Sequence, residues 1–266
     1  DGTVAVGYDA LYALTEGIGN VAVGAYTLDA NSASDYNTAV GTYALGAVNS
    51  TGEAGNTALG YNAGVAITDG LFNVAIGYGA LYTDDTPDGT IAIGASALYN
   101  QTVDGASGNT AVGHSAGQYV TTGESNTFIG YQSGQGNNSA KTTGDANTVL
   151  GYRAGYVLQG AVTRNTLIGS SSGLALTTGN YNTALGNASG DALTDGTHNV
   201  FLGDYAGSTT TSGVRLIAIG QGAMENGLVT SAAIGSVGIG SNALDSLTSG
   251  AGNVAVGYKA ATATTT

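Results

Sequence analysis

The sequence predicts an all-β fold, a parallel β-solenoid (β-roll) of about fifteen coils of about 17 residues, assembled as a trimer or fibre. Three observations predict it. A glycine recurs at a near-constant interval through the whole chain. A β-branched residue and an aliphatic residue precede that glycine in every copy. The composition is poor in the large side chains that a wide core needs.

The glycine column sets the period. It falls at Gly7, Gly24, Gly41, Gly60, Gly77, Gly94, Gly113, Gly130, Gly151, Gly169, Gly186, Gly203, Gly220, Gly240 and Gly257. Most successive differences are 17, with excursions to 18, 19, 20 and 21. The extra residues lie between motifs, in stretches such as 136–144, as expected of surface turns that tolerate insertion. Fifteen repeats without a gap predict a single continuous repeat domain over 1–266, read as part of a longer fibrous protein.

The motif reads Asn-Thr/Val-Ala-Val/Ile/Leu-Gly-x-x-Ala. The residue after the Asn position is β-branched in all copies, from Val4 to Val254, and the residue two further on is aliphatic in all copies, from Val6 to Val256. Period two with β-branched enrichment is a strand signal. The aliphatic column is expected to face the inside of the coil. The residue between the two is Ala in most copies and Phe128, Val149, Leu167, Phe201 or Gly238 in the others. Both faces of the strand are therefore apolar, although a thin solenoid has one interior. The second face needs a cover, and a neighbouring chain is the simplest one. After the glycine, segments such as Val65–Thr68 and Leu174–Thr177 read as a second short strand, and Thr-Gly or Asp-Gly turns lead back to the next Asn. The Asn column is Asn20, Asn37, Asn56, Asn73, Asn109, Asn126, Asn147, Asn165, Asn182, Asn199 and Asn253, expected to stack as a structural ladder of side-chain amides.

Composition narrows the function. Gly is 46 of 266 residues, more than twice the usual share, and charged residues are only 9%. The net charge of −13 disfavours nucleic acid and anionic membranes, whose binding depends on Lys and Arg. No apolar run approaches the ~20 residues of a membrane span, so no membrane insertion is expected. With no Cys there is no disulfide and no thiol nucleophile. Gly-Tyr-x-Ala-Gly copies resemble a phosphate loop superficially, but they repeat with the period and no Gly-Lys-Ser/Thr follows.

Asn73-Val74-Ala75-Ile76-Gly77-Tyr78-Gly79-Ala80 resembles the head repeats of trimeric autotransporter adhesins. The longer form, Asn56-Thr57-Ala58-Leu59-Gly60-Tyr61-Asn62-Ala63-Gly64, resembles repeats of phage tail-fibre proteins. The likeness covers essentially the whole chain and implies a left-handed parallel β-roll packed as a trimer that binds host matrix or other surfaces. Adhesin-head coils are nearer 14 residues, against 17 here, so the turns are expected to differ.

Little else suggests chemistry. His114 and His198 lie five coils apart at different motif positions and are expected to be solvated. Asp84, Asp85 and Asp88 lack a regular calcium pattern. Tyr8, Tyr61, Tyr78, Tyr131, Tyr152 and Tyr258 follow the motif glycine and are expected to cover a corner or make chain contacts. Asn49, Asn100, Asn137 and Asn187 stand in Asn-x-Ser/Thr sequons. No catalytic residue, cofactor site or metal site is expected, and the chain is not read as an enzyme. The expected role is a structural or adhesive rod, extracellular, on a cell surface or virion. Its partners would be its own copies and a cell-surface glycan or protein receptor. A self-assembling filament or sheath subunit is the first alternative. An ice- or glycan-binding solenoid is the second, with the Thr column (Thr110, Thr127, Thr148, Thr166, Thr183) expected inside rather than outside.

Overall fold

The computed structural model describes residues 2–263. The chain is all-β, made of stacked parallel coils of about 17 residues. It divides into two compact units between Asn126 and Thr127. The first unit holds seven coil strands, Val4–Val6 through Thr110–Val112, and the second holds eight, Thr127–Ile129 through Val254–Val256. Each regular strand is three residues long, because the motif glycine ends it. Pairing within each unit is parallel and in register, so like stands on like: Val21 on Thr38, Ala22 on Ala39 and Val23 on Val40 in the first unit, Thr166 on Thr183 and Ile168 on Leu185 in the second.

The motif glycines stack on one another with φ between 124° and 140°. A β-carbon on Gly24 would sit 2.7 Å from the carbonyl carbon of Gly41, and one on Gly203 2.7 Å from that of Gly220. Both the backbone conformation and the close approach exclude a side chain here.

The orientation of the strands corrects one expectation. The middle residue of each strand faces inward: Ala22, Ala39, Ala75, Phe128, Leu167 and Phe201 are all buried. The β-branched and aliphatic columns on either side face outward. Leu59 is 48% exposed, Leu150 42% and Leu185 48%. The physical reason is width. The coil is so narrow that the strand contributes one side chain to the interior, and the alternation of a strand then sends both neighbours out.

A second expectation is also corrected. Val65–Thr68 and Leu174–Thr177 are turn backbone, not strand. A left-handed residue precedes each stretch, Gly64 at φ 58° and Gly173 at φ 57°, and Leu28, Leu45 and Leu98 hold the same position in other coils at φ 47–50°. Leucine pays roughly 1 kcal/mol or more for that conformation. It recovers the cost by burial, since all three are fully enclosed. These turns still bond coil to coil, as from Ala47 N to Val65 O at 3.2 Å and from Ala175 N to Asp191 O at 2.9 Å. Among the described residues the additional strand pairs are short, Ala33–Asp35 with Thr51–Glu53 and Pro87–Asp88 with Gly105–Ala106, beside single bridges from Thr142 to Gly160 and from Thr197 to Val214. One 3₁₀ turn spans Ser231–Ala233.

The Asn side chains close the coils. Asn182 Nδ2 donates to Gly196 O at 2.8 Å, fourteen residues ahead, and to Asn165 Oδ1 on the adjoining coil at 3.0 Å. Its backbone N donates to the same oxygen at 2.9 Å. Asn199 repeats this on Asn182, and Asn73 repeats it on Asn56 in the first unit. Each buried amide thus satisfies backbone groups that a tight corner would otherwise orphan.

Candidate functional site

The described residues offer no pocket and no cluster of three His, Cys, Asp or Glu able to hold a metal ion. Candidate function therefore lies on faces. The broadest is the outward strand face, with one β-branched and one aliphatic column. Neighbouring strands stand ~4.8 Å apart and the two columns ~6.6 Å apart, two residues at the strand rise. Three-residue strands then give each unit a flat strip of very roughly 350 Å². The largest apolar patch of a typical monomer is ~300–600 Å² and often functional, and each strip is of that size. In the second unit, Thr127, Thr148, Thr166 and Thr183 stand on four consecutive coils of this face.

Tyrosines rim the glycine end of the face. Tyr8, Tyr61, Tyr78, Tyr131, Tyr152 and Tyr258 are all exposed. In the first unit they join Tyr26 and Tyr43 in an unbroken stack. Ring centroids run 5.4 Å from Tyr8 to Tyr26, 5.0 Å to Tyr43, 6.4 Å to Tyr61 and 5.5 Å to Tyr78. In the second unit Tyr131 stacks on Tyr152 at 5.6 Å. Tyr26–Tyr43 and Tyr61–Tyr78 are stacked, and Tyr8–Tyr26 and Tyr43–Tyr61 meet edge to face, the two arrangements that aromatic pairs prefer.

The opposite rim, the residue immediately before each Asn position, has positive φ in each coil from Gly19 to Gly252. Glycine fills it at Gly19, Gly55, Gly89 and Gly108, whereas Tyr36 and Phe72 stand there in between and lie over the neighbouring glycines. In the second unit the same column carries Arg164, Tyr181, His198 and Arg215 on consecutive coils, all exposed. Charge is distributed just as unevenly. All five cations, Lys141, Arg153, Arg164, Arg215 and Lys259, lie in the second unit.

The remaining sequence-singled residues are scattered. His114 is exposed, and His198 stacks on Tyr181 at 4.8 Å. Asp85 is exposed, and Asp88 Oδ1 accepts from Leu71 N at 2.8 Å. Asp84 is buried. Its Oδ2 accepts from Gln101 Nε2 at 2.7 Å and its Oδ1 has no partner. Burial pushes its carboxyl up to about 6, against the bonds from Gln101 and Val103. Gln101 has a second task. Where Thr90 stands in place of a ladder Asn, Gln101 Oε1 accepts from Asn109 Nδ2 at 3.0 Å. Nothing in the motif signals this substitution; Asp84 and Gln101 share an interior column with Asn31, Val48, Ile67 and Val120. Of the sequon residues, Asn49 accepts from Ser32 and Asn187 donates to Asp204.

The geometry defines the class as a repeat β-solenoid. No protein-family model matches the chain, and no curated protein matches it.

Proposed function

We propose that this chain is a structural or adhesive rod that associates with its own copies through the outward strand face, as a homotrimer displayed outside the cell or on a virion. One observation carries the reading: two columns of Val, Ile, Leu and Thr flank the inward middle residue of the strands and are exposed or half-exposed among the described residues. The number three rests on the likeness to trimeric adhesin heads. Such an assembly presents many identical surfaces at once, and multivalent attachment gains avidity without new contacts. Ile168→Glu with Leu185→Glu tests it. Both side chains are on the outer face, so the solenoid should still fold while association is lost. Unchanged association would refute the interface.

A second reading draws on the outward Thr column. Thr127, Thr148, Thr166 and Thr183 with Ile129, Leu150, Ile168 and Leu185 form a two-dimensional grid of hydroxyls and alkyl groups. A flat regular grid of this kind can order water and bind ice. The reading requires an uncovered face and hence a monomer. Thermal hysteresis in a freezing-point measurement checks it, and a value at the buffer baseline would remove it.

A further inference from the structure

We propose that the rim formed by Arg164, Tyr181, His198 and Arg215 is a binding strip for an acidic polysaccharide, with anionic groups held by the two arginines. The four residues occupy the same left-handed position on consecutive coils. Arg164 Nη1 donates to the Tyr181 hydroxyl at 2.7 Å, and its guanidinium lies 5.5 Å from that ring's centroid. Tyr181 stacks on His198 with planes 15° apart. Because the Tyr181 oxygen already accepts from Arg164, its own proton is free to donate outward. Guanidinium, phenol, imidazole and guanidinium thus present a row of donors.

The charge of the row is not cancelled. Neither Arg164 nor Arg215 pairs with a carboxylate among the described residues. In a protein of net charge −13, two unpaired guanidiniums on one corner mark a site for anions.

Spacing selects the polymer. Three coil steps separate the two arginines by ~14 Å. A nucleic acid carries charge far more densely than that and would meet repulsion from the acidic remainder. A polysaccharide places carboxylate or sulfate groups several ångströms apart on neutral, hydroxyl-rich rings. Those rings can take hydrogen bonds from Tyr181 and His198 between the two guanidinium contacts, each a bidentate fork.

The test is titration of the intact protein with dextran sulfate, polygalacturonate and neutral dextran, read by calorimetry in low salt. One or both anionic polymers should bind, which identifies sulfate or carboxylate as the recognised group, and neutral dextran should not. Arg164→Gln with Arg215→Gln should weaken binding at least about tenfold with an unchanged melting curve. Arg164→Lys with Arg215→Lys, which keeps the charge and loses the fork, should fall between. Equal binding of neutral dextran, no anionic binding, unchanged affinity in the Gln variant, or tighter binding to single-stranded DNA would each overturn the proposal.

Discussion

The Phe201 ring lies against Gly207, whose added β-carbon would come within 2.7 Å of its Cδ1, and equally against Gly190 of the adjoining coil. The same exchange recurs in most coils. Strands with Phe128, Val149, Leu167 or Phe201 at the centre have Gly134, Gly155, Gly173 or Gly207 six residues on. Strands with Ala22, Ala39, Ala75 or Ala92 have Leu28, Leu45, Leu81 or Leu98 there. In these coils one large side chain fills the width, supplied from either wall; Ala58 with Gly64, Ala111 with Gly117 and Ala184 with Gly190 supply none, and Leu45 and Phe201 of adjoining coils lean over Gly64 and Gly190.

Gly207→Leu should therefore destabilise strongly, combining overpacking with left-handed strain, and Phe201→Ala alone should cost roughly 3–5 kcal/mol. The double variant Phe201→Ala/Gly207→Leu reproduces the arrangement of the Ala39 coil and should recover much of the loss. A double-mutant cycle by urea unfolding measures the coupling. Simple additivity would contradict volume exchange.

Asn182→Ala should cost on the order of 2–4 kcal/mol, because it orphans the buried Gly196 carbonyl and the backbone N of Asn199. Asn187→Ala, on an exposed residue outside the ladder, should change stability by less than about 0.5 kcal/mol. Comparing the two melting curves separates corner closure from a generic loss of amide.

Gly186→Ala should destabilise more than Gly89→Ala. Both glycines are left-handed, but only the first abuts a neighbouring backbone, that of Gly203; around Gly89 the space is open. Equal losses in thermal unfolding would mean that φ alone, and not the close approach, fixes glycine in the motif.

Asp84 gives the protein a pH dependence of definite sign. Its carboxyl titrates at about 6 when folded, above the ordinary 3.8. The folded state thus holds a proton that the unfolded state releases. The stabilisation is complete below about 3.8 and is lost as pH rises through about 6. Asp29, Asp191 and Glu225 are also pushed up by burial and act in the same direction. The melting temperature should be higher at pH 5 than at pH 7, and Asp84→Asn should raise it at pH 7 and flatten the difference. A stability that rises from pH 5 to pH 7 would contradict the assignment.

The period, the strands and the turning glycines were readable because each is a local rule repeated fifteen times. The side that faces inward was not, because Val23 and Ala22 are both apolar and alternation alone gives no polar face to orient by. The signal that does orient it is the exchange of bulk between Phe201 and Gly207 or Ala39 and Leu45, since only residues sharing an interior trade volume. The supposed second strand failed for a different reason: a leucine such as Leu45 carries no mark of left-handed backbone. The donor strip was hidden by the same logic, because Arg164 and Arg215 are 51 residues apart in sequence and meet on one column only through the coil period.

The outward strand face is tested most directly by the absolute mass in solution, from light scattering on a size-exclusion column. A self-associating rod predicts a mass near three times 25.9 kDa that falls to one chain when Ile168 and Leu185 are changed to Glu. A wild-type mass of 25.9 kDa at every concentration would leave the face uncovered and contradict the account.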